Sequence, residues 1–464
     1  MAAVGRYAEA EESYTKAIAE CERTGEGRTH LAASLNGLAR LYRTQKKDGA
    51  AERTYLRALA LAERSPGPGD AATATTLNNL AMLYQEHGLL TRAGEMYRRA
   101  LSILEKTVRT GSAELVWMLS NLATVERGRS NYAESEKLYR RALAAGETGK
   151  SRDNVPLVLN NLGQLCVQQG RLDEDERLFR QGLDAARENP SQPYGAALLN
   201  NMAALQRKRG LYPSAAELYR RAIKELERRP SQGAETAIAL HNLGELEMVL
   251  GHPPKADPLF ERALDLERSA LRSDHPQIAT TLTALASSLR VQGRYSEAER
   301  LLESVLEMRR RALGPAHPDV AAALAQMGLL AQTQARFDNA ETLYLPALEI
   351  WKAAARMESR DAATVLHNLG SMYRTQRRYG EAEPLLQQAL AIREKVQGPE
   401  QHDVAVTLQE YAALLRQTKR KPEAVKLERR AKKILAEEAR HDPRRFIVDA
   451  ADLRAGAART NPGD

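Results

Sequence analysis

Five residues recur at a nearly constant interval along this chain of 464 residues. The segment Leu-Asn-Asn-Leu-Ala stands at positions 77–81, and related segments begin at nine further leucines. The ten anchor leucines are Leu35, Leu77, Leu119, Leu159, Leu199, Leu240, Leu282, Leu324, Leu366 and Leu408. Successive anchors lie 40 to 42 residues apart, which indicates a repeat protein in which the stacking of like units supplies the core.

Each repeat is predicted to contain two helices. In the second repeat, Leu77, Leu80 and Tyr84 share one face of a first helix, and Gly88 suits the left-handed residue that ends such a helix. The predicted buried face of the second helix comprises Ala93, Tyr97, Ala100 and Leu101. The predicted fold class is therefore all-α, an α-solenoid of about ten helix-turn-helix units preceded by half a repeat.

Composition excludes several other classes of protein. Only 5% of the residues are aromatic, which argues against a wide core and a strand-rich fold. The two cysteines, Cys21 and Cys166, are too few for a disulfide framework or a thiolate metal site and are typical of a reducing compartment. The N-terminal residues turn polar at once, and no window of about 18 residues lacks charge. We therefore expect a cytoplasmic protein without a signal peptide or a membrane span.

Three segments resemble a known family. Asp274–Leu282, Gly314–Ala321 and Arg294–Glu299 look like the junctions of tetratricopeptide repeats (TPR), of the 42-residue kind found in kinesin light chains. The resemblance extends over about residues 5–435. It implies a right-handed superhelix whose inner, concave surface binds other proteins, and it is specific for fold rather than for pathway.

The two ends of the array are predicted to differ from its middle. The predicted domains are a half-repeat at 1–30, ten full repeats at 31–436 and a mostly disordered tail at 437–464. The half-repeat supplies a second helix only, with Tyr14, Ala17 and Ile18 as its buried face. A solenoid end normally carries a polar cap, so we expect an upstream segment, a larger parent protein, or a partner that covers this end. End-to-end contact with another copy is one such arrangement, and the oligomeric state stays open.

No catalytic or metal-binding constellation is predicted. The sequence contains no glycine-rich phosphate loop and no HExxH motif, and most of its nine histidines occupy recurring repeat positions. His275, His317 and His402 share one position just before a first helix, where we expect them to help start it. We therefore expect no enzymatic activity, no cofactor and no metal.

Asparagine recurs two residues after the anchor leucine, inside the first helix, where its helix propensity is poor. These residues are Asn79, Asn121, Asn161, Asn201, Asn242 and Asn368. In the TPR resemblance this position lies on the inner surface, where an amide offers a donor and an acceptor to the main chain of an extended peptide. The alternative is that the amide bonds the neighbouring helix and only sets the stacking of repeats.

Two further features fall on the same predicted surface. Trp117, two residues before its anchor, predicts either a hot spot for a partner's apolar side chain or a filler between adjacent helices. Arginine recurs eight residues after the anchor, on one rim of this surface. These residues are Arg43, Arg127, Arg207, Arg290, Arg374 and Arg416. They predict either attraction of carboxylates or phosphates or ordinary bridges to glutamates of the adjacent repeat.

The predicted function is a non-catalytic scaffold that binds an extended, acidic peptide or partner segment along the inner groove. One alternative is an RNA-binding helical repeat protein, because such arrays can recognise one base per repeat and the net charge is +8. Interleaved acids and bases and scarce aromatic residues make nucleic acid the less favoured partner. A second alternative is the regulatory TPR array of a larger multidomain protein that extends upstream of Met1.

Overall fold

The computed structural model describes residues 2–24, 28–63, 71–107, 112–148, 152–188, 194–229 and 232–441. Within these ranges the chain forms twenty-one α-helices and no strand. The helices are α1 (Ala2–Thr24), α2 (Arg28–Thr44), α3 (Asp48–Glu63), α4 (Ala71–Glu86), α5 (Leu90–Thr107), α6 (Ala113–Gly128), α7 (Tyr132–Thr148), α8 (Val155–Gln168), α9 (Leu172–Glu188), α10 (Tyr194–Lys208), α11 (Tyr212–Glu227), α12 (Gly233–Val249), α13 (Pro253–Ala270), α14 (Pro276–Val291), α15 (Tyr295–Leu313), α16 (Pro318–Thr333), α17 (Phe337–Ala353), α18 (Arg360–Thr375), α19 (Tyr379–Gln397), α20 (His402–Gln417) and α21 (Lys421–His441). The all-α prediction is confirmed.

The chain divides into two compact units, Met1–Leu205 and Gln206–Asp464. In each unit a first helix packs against its own second helix, and that second helix packs against the first helix of the next repeat. Such nearest-neighbour packing gives a continuous thin core instead of one central core. The principal core cluster of the first unit runs from Ala39 to Leu165, and that of the second from Ala256 to Ala424.

The anchor leucines form the inside of this core. All ten are buried, as expected for the apolar face of an amphipathic helix. Twenty residues after the anchor, the second helix contributes a large buried side chain in nine of the ten repeats. These residues are Tyr55, Tyr97, Tyr139, Phe179, Tyr219, Phe260, Leu302, Tyr344 and Leu386.

Every first helix from α2 onward is followed by a left-handed residue, which lies eleven positions after the anchor and two residues beyond the end of the helix. Five of these residues are glycines, which adopt positive φ without a steric penalty. The glycines are Gly88, Gly170, Gly210, Gly251 and Gly293. The other repeats place Lys46, Ser130, Ala335, Arg377 and Lys419 there, with φ between 57° and 64°. The turn is therefore set by the packing of the two helices and persists where the glycine is missing.

Two of the three histidines at the start of first helices cap their helix, and the third does not. Nδ1 of His275 accepts a hydrogen bond from the backbone N–H of Gln277, and Nδ1 of His317 accepts one from Asp319, each at 3.2 Å. Both side chains therefore cap their helices as predicted. His402 instead begins α20, and its Nδ1 lies 2.9 Å from Oε2 of Glu438.

A regular set of ion pairs joins successive second helices. The arginine twelve residues after the anchor, just before the second helix, contacts an acid on the second helix of the preceding repeat. These inter-repeat bridges are Arg171–Glu136 (2.7 Å), Arg294–Asp257 (3.2 Å), Arg336–Glu299 (3.1 Å), Arg378–Glu341 (2.8 Å) and Arg420–Glu383 (2.6 Å). Hydrogen bonding to Arg378 holds the pKa of the Glu341 carboxyl below its usual value. Much of the interleaved charge is therefore structural.

The half-repeat at the start of the array corrects one expectation. In α1, Ile18 is buried and Tyr14 half-buried, but Ala17 is exposed. The equivalent residue of the full repeats, such as Ala58 or Ala100, is buried because its own first helix covers it. The prediction that Ala17 lies on the buried face is therefore wrong.

The prediction for the C-terminal tail falls partly outside the described residues. Helix α21 continues to His441, so residues 437–441 are helical rather than part of a disordered tail. Residues 442–464 lie outside the part of the chain that the structure describes.

Candidate functional site

First helices of successive repeats approach one another within each unit. In the first unit α2 contacts α4 and α6 contacts α8, and in the second α12, α14, α16, α18 and α20 contact in succession. Each first helix leaves one row of side chains accessible beside these contacts, at two positions before and two, five and nine positions after the anchor. Spacings of four, three and four place these residues on one helix face. We call this row the inner stripe.

The inner stripe is largely uncharged. Four of its apolar side chains are exposed, namely Trp117, Ile238, Val249 and Val291. Its charged members in α2 to α20 are Arg40, Glu86, Lys208, Glu245 and Glu410. The remaining positions carry Thr, Ser, Asn, Gln, Gly, Ala, Met, Leu or Val, so the stripe offers hydrogen bonds and apolar contacts more than charge.

The six recurring asparagines all lie half-buried on this stripe. Three of them donate to the residue just after the anchor of the preceding repeat. Nδ2 of Asn79 lies 3.3 Å from Oδ1 of Asn36, Nδ2 of Asn121 lies 3.5 Å from Oδ1 of Asn78, and Nδ2 of Asn201 lies 2.7 Å from Oδ1 of Asn160. These contacts match the stacking alternative at those three positions.

Neighbouring amides within one helix extend the contacts into two amide relays. Nδ2 of Asn78 lies 3.5 Å from Oδ1 of Asn79, and Nδ2 of Asn160 lies 3.4 Å from Oδ1 of Asn161. The first amide relay is Asn36, Asn79, Asn78 and Asn121, and the second is Asn161, Asn160 and Asn201. Ser120 occupies the position after the anchor in the third repeat, so the two relays are not joined.

The asparagines of the second unit lie in a different setting. Nδ2 of Asn368 donates to the hydroxyl of Tyr344 at 3.4 Å, and its backbone carbonyl accepts from Nε2 of Gln332 at 3.3 Å. Asn242 lies half-buried on α12. The asparagine position therefore has no single role along the chain.

The recurring arginines are mostly engaged by other side chains. Nε of Arg374 lies 2.6 Å from Glu410, Nε of Arg43 lies 3.9 Å from Glu86, and Nη1 of Arg127 donates to Gln164 at 3.0 Å. These three partners belong to the adjacent repeat. Arg416 instead pairs with Glu428 of its own repeat at 2.5 Å.

The other two arginines are partly enclosed. Arg207 is half-buried beside Tyr219 and His241, and burial lowers the pKa of the half-buried Arg290 guanidinium. The arginines therefore do not form an open row of free cations, and the bridging alternative describes Arg43 and Arg374 best.

The two tryptophans differ in their exposure to solvent. Trp117 is 43% exposed and lines a cavity of about 440 Å³ between the second and third repeats. The cavity is lined by Ala74, Thr75, Asn78, Leu104, Ala113, Glu114, Trp117 and Met118. Trp351 is 3% exposed and donates its Nε1–H to the carbonyl of Pro318 at 3.2 Å. Trp117 is therefore an accessible aromatic side chain on the inner stripe, whereas Trp351 is a packing residue.

Comparison with protein families decides the class of the chain. A family model described as a tetratricopeptide repeat matches residues 1–64, 50–106, 114–188, 235–310, 283–353 and 361–437, and a second with the same description matches residues 198–234. The chain belongs to the tetratricopeptide repeat family. No curated protein matches its sequence.

Two solved structures, those of NprR and RapI, share the helical fold of this TPR chain. The apo form of the quorum sensor NprR from B. thuringiensis is 15% identical, with a TM-score of 0.56 over 85% of this chain and 99% of NprR. The apo form of RapI is 12% identical, with a TM-score of 0.50 over 61% of this chain and 99% of RapI. Nearly identical TPR-like repeats of a putative kinesin light chain from Podosopora anserina are 23% identical, with a TM-score of 0.38 over 44% of this chain and 98% of theirs.

The buried titratable groups of this TPR protein are dispersed through its core. Burial lowers the pKa of His367 to about 4, helped by the nearby Arg393, and burial also lowers the pKa of His241. Burial raises the pKa of Glu267, which accepts a hydrogen bond from Thr281 at 2.9 Å. In the described ranges, no three His, Cys, Asp or Glu side chains gather in a way that could hold a metal ion.

Among the same residues, no helix is both long enough and apolar enough to cross a membrane. The TPR family is generally non-catalytic.

Sequence reasoning missed two features, one on the inner stripe and one between the second helices. The exposed apolar residues Ile238, Val249 and Val291 lie on the inner stripe at positions where other repeats carry Thr, Glu or Gln. A comparison of the residues nine positions after each anchor would have found Val249 and Val291. The inter-repeat bridges were also detectable, because their acids at 257, 299, 341 and 383 recur every 42 residues.

Proposed function

We propose that this TPR chain is a non-catalytic protein-interaction module that binds an extended segment of a partner protein along the inner stripe. The observation that carries this proposal is the exposure of Ile238, Val249 and Val291 on the inner stripe of the second unit, and of Trp117 at the equivalent place in the first unit. Apolar side chains exposed on a common surface mark interaction sites in soluble proteins. Tryptophan is one of the residue types most enriched at binding hot spots, and Trp117 lies beside a cavity.

The charges favour an uncharged partner segment over the acidic one expected from sequence. Arg43, Arg374 and Arg416 already pair with glutamates, and a partner acid would have to displace them. Glu245 also lies on the stripe itself and would repel a carboxylate. Apolar and hydrogen-bonding contacts therefore supply most of the proposed affinity.

Nucleic acid is the weaker alternative on the same grounds. Single-stranded nucleic acid needs a basic track and aromatic side chains on which bases stack. The inner stripe carries one aromatic residue, Trp117, and its five charged residues are of both signs. We place the interaction in the cytoplasm, since Cys21 and Cys166 remain free thiols and a reducing compartment keeps them so.

Peptides selected from a random 12-residue display library test the proposal. Trp117→Glu places a charge on the stripe of the first unit and Ile238→Glu on that of the second. Each should weaken by about tenfold or more the peptides that bind its own unit. Leu345→Glu is the matched control, because Leu345 is 43% exposed on a second helix, α17, away from the stripe, and it should leave affinity unchanged. Equal losses from Leu345→Glu would contradict the proposal. So would retention of a labelled oligouridine with a salt slope of several units on a log–log plot.

A further inference from the structure

We propose that the second unit pairs with the same unit of a second copy of this chain, through the exposed sides of the second helices α13 to α21. The partner is therefore a molecule of identical sequence. The contact lies on helices other than those of the inner stripe, so it goes beyond the peptide binding proposed above. Three successive segments of this exposed side, one acidic, one uncharged and one basic, support the pairing.

A single row of exposed side chains runs over these five second helices. It comprises the residues 18, 21 and 25 positions after each anchor, and the spacings of three and four place them on one helix face. All fifteen of these residues are exposed, whereas the residue 16 positions after each anchor is a fully buried alanine. We call these exposed residues the outer row.

The outer row is acidic on α13 and α15. Four of its six residues there are acids, and only Arg300 is basic. The acids are Glu261, Asp265, Glu303 and Glu307. Asp265 and Glu307 each face an arginine of their own helix, at 4.0 Å and 2.6 Å. Glu261 and Glu303 form no ion pair among the described residues, so their carboxylates are available to a second molecule.

The outer row is basic on α21. Its three residues there are Lys426, Arg429 and Lys433, and the four acids of this helix all lie outside the row. Lys433 lies 3.7 Å from Glu437. Lys426 and Arg429 form no ion pair in the part of the chain that the structure describes. From α13 to α19 the outer row contains a single base, Arg300, so the last repeat departs from its neighbours in charge.

Between these segments the outer row is almost uncharged. On α17 and α19 its one charged residue is Glu349. The other five are Thr342, Leu345, Pro384, Gln387 and Ala391. Leu345 is a large apolar side chain that is 43% exposed, and the centre of an interface is where such side chains are buried. From α13 to α21 the outer row is thus acidic, then uncharged, then basic.

This order is complementary to itself under a two-fold rotation. In a two-fold dimer, a contact from one residue to a second is repeated from the second to the first. With the axis between α17 and α19, α21 of each copy faces α15 of the other, and the uncharged segments meet at the centre. Opposite charges then meet on both sides of the axis. A parallel register would set like charges together, so the charges favour the antiparallel one.

Charge reversal in the full chain tests the pairing. The first variant combines Lys426→Glu, Arg429→Glu and Lys433→Glu, and the second combines Glu261→Lys, Glu303→Lys and Glu307→Lys. We expect the parent to dimerise and each variant to be monomeric, because like charges then face one another across the contact. An equimolar mixture of the two variants should form the dimer again, since its facing rows regain opposite charges. Recovery in the mixture also shows that both variants are folded.

Sedimentation velocity at about 0.05 M salt, where surface charges are weakly screened, measures the oligomeric state. The control combines Lys16→Glu, Lys137→Glu and Arg187→Glu on the first unit, where these exposed side chains pair within their own helices. It changes the net charge as much as the first variant does and should dimerise like the parent. Raising the salt to about 0.5 M should weaken the parent dimer by about tenfold or more.

A parent chain that stays monomeric at about 100 μM would overturn the proposal, as would dimers that survive in both variants or a mixture that stays monomeric. Capture of labelled polyglutamate by a monomeric parent, lost in the first variant, would assign α21 to a different acidic partner and overturn pairing between copies. Leu345→Glu should weaken the dimer by about tenfold or more and leave the inner-stripe peptides bound. Dimerisation without peptide binding would therefore overturn only the proposed function.

Discussion

A Cβ atom on Gly244 would lie 2.6 Å from Cε1 of Phe260, which is fully buried in the second helix of the same hairpin. The same relationship recurs between Gly163 and Phe179, at 2.5 Å. These distances are shorter than ordinary carbon–carbon contacts. In these repeats the missing side chain of the first helix makes room for the ring that the second helix inserts.

Gly244→Ala should therefore destabilise the protein by about 1–3 kcal/mol, the usual effect of overpacking a core. Phe260→Leu should restore part of the loss, because the seventh repeat natively pairs Ala286 with Leu302. Gly380→Ala, where the new Cβ would meet nothing within 4 Å, is the control and should stabilise by about 0.5–1 kcal/mol. Urea unfolding followed by circular dichroism measures all three, and a neutral Gly244→Ala would contradict the packing argument.

The left-handed turn position predicts a reciprocal pair of effects. Ala335 has a φ of 57° and Gly293 a φ of 78° at equivalent turns. A side chain in this conformation costs about 1 kcal/mol, so Ala335→Gly should raise the free energy of unfolding by about that amount, while Gly293→Ala should lower it. Thermal unfolding at one scan rate gives both shifts. Shifts of the same sign in the two variants would show that the turn conformation is not the cause.

Acidification should destabilise the fold through His367. Its pKa is 6.5 in an unfolded reference and about 4 in the folded chain. Between these values the unfolded chain binds a proton that the folded chain does not, so stability falls as the pH falls through this window. The loss is about 2 kcal/mol at pH 5. Arg393, Glu410 and Asp403 are the charged groups around the ring.

His367→Asn should remove that part of the pH dependence, since asparagine stands at the same position in four other repeats. The measurement is the free energy of unfolding at pH 7 and pH 5, compared between variant and parent. An identical loss in both proteins would assign the acid sensitivity to other groups.

The inter-repeat bridges predict a larger effect than ordinary surface ion pairs. Arg378 contacts Glu341 at 2.8 Å and Glu381 at 2.7 Å, and its guanidinium lies 3.8 Å from the centre of the Tyr373 ring. Arg378→Ala should lower the free energy of unfolding measured in urea, and by less at high salt. Arg311→Ala removes an exposed pair with Glu307 inside one helix and should cost almost nothing. Equal costs would show that the bridge does not couple the repeats.

The fold was largely predictable from the sequence because its core positions recur at a nearly constant interval. The anchor leucines placed every first helix, and Tyr97 with its equivalents placed the second helices, since both are core positions in nearly every repeat. The exposure of Ala17 was not predictable from that period. It depends on a covering first helix that the half-repeat lacks. The position of a residue within the repeat does not show whether such a helix is present.

The candidate site was predictable in position and not in bonding. Asn79 and Asn121 were placed on the correct face, but whether each amide bonds a neighbour depends on side-chain rotamers and on the residue one repeat earlier. Ser120 decides the difference between Asn161 and its equivalents, although it carries no functional signal of its own. Arg374 likewise has a recurring position, but its glutamate partner, Glu410, occurs at that position in only one repeat.

The inter-repeat bridges of the second unit have a mechanical consequence. From Asp257 to Arg420, each bridge connects only one hairpin to the next, so none of these bridges holds distant hairpins together. Under a stretching force applied at the C-terminus, we expect this unit to lengthen in separate steps, each releasing about one hairpin, instead of rupturing in one event. The extension of this unit under force would then increase in increments of about one repeat.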